Sequence, residues 1–94
     1  MINHFSLNLP VIISKYGKRF VAYTPALDVS TSGKSLKDVK VKFEELAMIF
    51  IEEIVEAGTI NEVLSELGWT KGRQWTPPKV VSSQSIGVRV PAFA

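Results

Sequence analysis

The nine carboxylates are the first place to look for chemistry, because a two-metal nuclease needs several acids projecting from adjacent strands and a helix. They are Asp28, Asp38, Glu44, Glu45, Glu52, Glu53, Glu56, Glu62 and Glu66. Only Asp28 falls on a strand or its corner. The others fall on segments of helical periodicity, mostly opposite the apolar stripe, where a solvated face would put them. Such a set does not converge on one metal pair, so neither a metal site nor a catalytic residue is expected. His4 is the only histidine and there is no cysteine, which removes thiolate metal sites, a cysteine nucleophile and disulfides. The serines include no G-x-S-x-G elbow and no paired base. Gly33-Lys34-Ser35 resembles the end of a phosphate loop, but Asp28 stands where the earlier glycine belongs. Gly33 is then a backbone device, supplying a conformation that other residues disfavour. No cofactor is expected.

Nucleic-acid binding is the other chemistry to weigh. Lys34, Lys37, Lys40 and Lys42 cluster near one helix start, where cations oppose the helix dipole. Trp69 and Trp75 bracket a turn and are of a type that stacks bases. A small nucleic-acid-binding regulator contacting its target through Lys34, Lys37, Lys40, Trp69 and Trp75 is therefore the alternative reading. Against it, a charge run is more often a solvated face, and a tryptophan pair around a turn more often closes a core edge. No second helix with a basic face follows the first, as a helix-turn-helix would require.

The elements that position these residues are readable from periodicity. Phe5, Leu7, Leu9, Val11 and Ile13 alternate as a strand does, with Pro10 making it an edge or a bulge. Lys15 to Lys18 read as a turn and Arg19 to Thr24 as a second strand, giving an antiparallel hairpin. Pro25 ends that strand, and Leu27, Val29 and Thr31 share one face of a short third strand. Ser35 is placed as a helix N-cap, with Asp38 at near capping-box spacing. Leu36, Val39, Phe43, Leu46, Phe50 and Ile54 form one helical stripe, widened by Ala47, Ile51 and Val55, and Gly58 stops it. Thr59 and Glu62 suggest a second capping box opening a short helix with Ile60, Val63, Leu64 and Leu67 on its apolar face. Gly68 ends it. Pro77 and Pro78 force extended chain, and Ile86, Val88 and Val90 alternate as a final strand.

The fold class expected is α+β: a three-stranded antiparallel meander packed on one long helix, then a short second helix and a C-terminal strand. Residues 1–68 make the core and 69–94 an extension of the same domain, since 94 residues suffice for one modest core. A hydrophobic fraction of 46% and a charged fraction of 21% are ordinary for a globular protein, and a net charge of +2 is too small to imply nucleic acid by itself. No signal peptide and no apolar run of about 18 residues is present, so a cytoplasmic protein without membrane contact is expected. Free strand edges and an apolar tail point to protein partners or to a second copy.

The stretch YTPALDVSTSGKSLKDV followed by KFEELAMIFIEE resembles the HicB-like antitoxin family. The residues that carry the resemblance are Tyr23, Pro25, Leu27, Asp28, Gly33 and Ser35, with the helix from Leu36. EVLSELGW and Trp75-Thr76-Pro77-Pro78 look like an extension of some members, so the likeness covers about four-fifths of the chain. It implies a degenerate, partial ribonuclease-H-like domain that is not an enzyme. Members bind and block a small HicA-like toxin, which resembles a double-stranded RNA-binding domain and cleaves messenger RNA. The implied mechanism is occlusion, and the implied assembly a homo-oligomer, dimer or tetramer. Many members add a C-terminal DNA-binding module, but nothing after Pro78 reads as helical, so direct DNA binding is not expected. Toxin contacts vary between members, and none is carried over to a residue here.

Overall fold

The computed structural model of the chain describes residues 7–92. Three strands, β1 (Ile12–Tyr16), β2 (Arg19–Thr24) and β3 (Val29–Gly33), form an antiparallel sheet in that order. Helix α1 (Leu36–Glu56) packs on one sheet face, and the short helix α2 (Ile60–Glu66) follows. A two-stranded hairpin, β4 (Thr70–Lys71) with β5 (Trp75–Thr76), completes the regular structure. The architecture is the α+β meander on a long helix that the sequence led us to expect.

Local chemistry explains each joint. Tyr16 pairs with Arg19 across a two-residue turn, in which Gly17 alone has positive φ, at 61°. That is the glycine-first turn whose twist matches two antiparallel strands. The β1 strand thus lies later than its alternation suggested: Lys15 and Tyr16 are paired strand residues, and Pro10 precedes the strand instead of interrupting it. Phe5 and His4 lie outside the described residues. Likewise β3 begins at Val29, because Leu27 is turned into the core from the corner.

Ser35 caps α1 as expected, its Oγ accepting from the Asp38 N–H at 3.0 Å. Asp38 does not close a standard box. Its carboxylate accepts from the N–H of Lys34 at 2.9 Å, one residue before the cap. Both helices end in the same six-to-one, five-to-two motif, with Gly58 and Gly68 in the left-handed region. The Thr59–Glu62 box is not formed, since Thr59 makes no side-chain capping bond.

Two clusters make the core. Ala22, Val39 and Phe43 join β2 to the first half of α1, while Ala26, Leu27, Ile54, Leu64 and Trp69 join the β2–β3 corner to both helices. Two residues expected in the α1 stripe, Leu36 and Val55, are exposed instead. The stripe drifts around so long a helix, and the small sheet does not reach its ends.

The final strand expected over Ile86, Val88 and Val90 is not formed; residues 77–92 carry no regular structure, and the last strand pairing is β4 with β5. A strand with no ladder partner has nothing to hold it. The arm also elongates the molecule, whose radius of gyration is 16.4 Å, against about 12 Å for a compact chain of this length.

Candidate partner-binding surface

The corner between β2 and β3 is the most constrained part of the molecule. Thr24 is fully buried, and its Oγ1 accepts from the N–H of Ala26 at 3.2 Å. Pro25 fixes the turn that follows. Asp28 sits at φ 54°, a left-handed conformation that aspartate tolerates better than most residues. Its carboxylate accepts from the Tyr23 hydroxyl at 2.9 Å, closing a clasp over the corner. That hydrogen bond, next to a negative charge, raises the Tyr23 pKa above the ordinary phenol value.

The corner is held from the far end of the chain. Trp69 is only 4% exposed, and its indole N–H donates to the carbonyl of Ala26 at 2.7 Å. Without that donor the corner carbonyl would be left unpaired in the core. Sequence reasoning missed this contact. The available signal was that a buried tryptophan needs an acceptor, and loop carbonyls supply one.

Gly33 has another role than the one expected. Its φ is not positive; rather, an added Cβ would lie 2.7 Å from the amide nitrogen of Val39 and 2.8 Å from its Cα. Glycine is there because the first turn of α1 sits directly against the end of β3. The six residues of the resemblance thus split into a clasp (Tyr23, Asp28), a buried corner (Pro25, Leu27) and a strand-to-helix joint (Gly33, Ser35). Each holds the frame together, and Tyr23 also shows part of its ring on the outer sheet face.

The surface this scaffold presents is the sheet face away from α1. Register places Ile12, Ser14 and Tyr16 of β1 beside Tyr23, Val21 and Arg19 of β2, with Ser30 and Ser32 of β3 completing the row. Ile12 is 54% and Tyr16 68% exposed, while Val21 and Tyr23 are half-buried. Arg19 donates to Ser32 Oγ at 3.2 Å across this face. Both outer edges, β1 and β3, have no strand beside them among the described residues. The result is an apolar strip with a tyrosine at each end of its diagonal and a free edge alongside.

Of the residues of the nucleic-acid reading, the two tryptophans are engaged in the core. Trp69 is a core residue, unavailable for stacking, and Trp75 packs on the same cluster with Lys71 Nζ 5.6 Å from its ring centroid. Lys34, Lys37 and Lys40 are exposed. Lys42 pairs with Asp38 at 3.5 Å. Among the described residues no three His, Cys, Asp or Glu side chains are grouped so as to hold a metal ion. A concavity of about 460 Å³ between Asn8, Pro10 and the Thr76–Val80 segment is open and carries no cluster of titratable groups. No helix among the described residues is long and apolar enough to cross a membrane.

No family model matches the chain, and neither a curated protein nor a solved structure matches it.

Proposed function

We propose that this chain is a HicB-like antitoxin or a stand-alone relative, non-catalytic, which binds a small mRNA-cleaving toxin and covers its RNA-binding face. The observation that supports this reading is the uncovered sheet face of Ile12, Tyr16, Val21 and Tyr23, next to a free β1 edge. An apolar strip beside unpaired backbone donors and acceptors suits a folded protein partner, which can add main-chain hydrogen bonds and bury the strip together. The corner at residues 25–28 is rigid through Trp69 and the Tyr23–Asp28 clasp, so little ordering is lost on binding. Self-association and a cytoplasmic location belong to the same proposal.

The test is co-expression with a small HicA-like toxin, the adjacent reading frame supplying it if one is encoded there. The two proteins should co-purify, and growth inhibited by the toxin alone should be rescued. Ile12→Asp with Tyr16→Ala should remove both effects while the far-ultraviolet spectrum stays unchanged. Co-purification that survives those substitutions would contradict the assigned face.

A further inference from the structure

Charge is segregated along this chain in a way that composition hides. Every glutamate lies between Glu44 and Glu66, and no lysine or arginine falls between Lys42 and Lys71. From Lys71 onward the only charged side chains are Lys71, Arg73, Lys79 and Arg89. The acidic block runs over α1 from Glu44 onward and over α2, whereas the first turns of α1 carry Lys37, Lys40 and Lys42, and the basic block ends in the extended arm.

The outer surface of α1 is also apolar along its centre. Val41, Met48 and Val55 recur at seven-residue spacing, two helical turns, on the side away from the core, and are 49%, 53% and 53% exposed. Glu44, Glu45 and Glu52 border them. In a parallel pairing of two copies through this line these glutamates would face one another across the seam, and only the first turns of α1, with Lys37 and Lys40, carry the opposite charge. From Glu44 to Val55 the surface therefore suits a cationic, apolar occupant. The arm has that chemistry: Val80, Val81, Ile86, Val88 and Val90 are all exposed, the last three alternate, and no acid accompanies them.

We propose that the arm of one copy, residues 79–92, lies on the outer face of α1 of a second copy, the two arms being exchanged. Val41 to Val55 span about 21 Å, which about seven extended residues cover. Ile86, Val88 and Val90 face the Val41–Met48–Val55 line. Arg89, though on the alternate side, is long enough to bend back to the bordering glutamates. Reciprocal exchange would bury two arms and two helix faces, where a single arm on one helix would bury half as much, and a specific interface buries about 1,200–2,000 Å² in all. This deepens the self-association part of the proposed function and uses the opposite side of the molecule from the sheet face.

The test is the solution mass of the full chain by light scattering over a concentration series, alone and without any toxin. A dimer is expected, weakened by salt. Lys79→Glu with Arg89→Glu should raise its dissociation constant roughly tenfold, as should Glu45→Lys with Glu52→Lys. Combining all four should restore it. These positions are exposed, so folding is not at stake. Removing residues 79–94 should leave a monomer. A monomeric wild type, a dimer indifferent to truncation, or failure of the combined charge reversal to restore it would each overturn the proposal. The toxin assay is independent, so either reading can fail alone.

Discussion

Asp38 serves three neighbours at once: its own N–H satisfies Ser35, its carboxylate holds the Lys34 N–H, and Lys42 approaches it at 3.5 Å. The Lys34 N–H, foremost, holds its pKa below the ordinary carboxylate value, assisted by Lys42. A folded pKa below the unfolded one means the contribution is complete above the ordinary range, about pH 4, and is lost as pH falls through the lowered value. The urea midpoints of wild type and Asp38→Asn should therefore differ near neutrality and converge in acid; a constant gap would refute this. Ser35→Ala removes the cap and should cost about 1 kcal/mol in the same measurement. Gly33→Ala should cost about 1–3 kcal/mol, because its methyl group meets the Val39 backbone. Sequence alone marked Ser35 as a cap and Gly33 as special. The reason for the glycine was illegible, because close approach depends on where the helix lands, not on the glycine's own torsions.

At the scale of elements, the meander and α1 were legible because alternation and a capped helical stripe are local signals. Their edges were not. Leu27 continues the odd-numbered apolar set of β3, yet the Pro25 corner turns it into the core. Val55 continues the α1 stripe in sequence but has rotated past the sheet, which is too small to cover it. The final strand was read from Ile86, Val88 and Val90 correctly as a pattern, but pattern does not supply the neighbouring strand. The joint between corner and extension is the element-level feature with the largest predicted effect. Trp69→Ala should cost about 3–5 kcal/mol, a large share of the roughly 5–15 kcal/mol that holds a small domain. Trp69→Phe keeps most of the packing, leaves the Ala26 carbonyl unpaired, and should cost clearly less. Equal and negligible losses in thermal unfolding would show that the extension does not hold the corner.

On the scale of the whole molecule, the two sides differ in chemistry. One side shows a sheet face and edge with Ile12 and Tyr16; the other shows an acidic helix with a thin apolar line. The motif residues read from the sequence hold the frame, and of them Tyr23 alone also reaches the outer sheet face. The rest of the surface could not be read from them, since Tyr16 was assigned to a turn and Ile12 stood out only as an apolar residue on the otherwise polar side of the first strand. Occlusion of a toxin is tested on the cleavage of messenger RNA by a HicA-like ribonuclease. Adding this chain to that ribonuclease should abolish cleavage at a stoichiometric ratio, and the Ile12→Asp, Tyr16→Ala variant should leave cleavage intact. Undiminished cleavage at excess wild-type chain, with both proteins folded, would contradict the account.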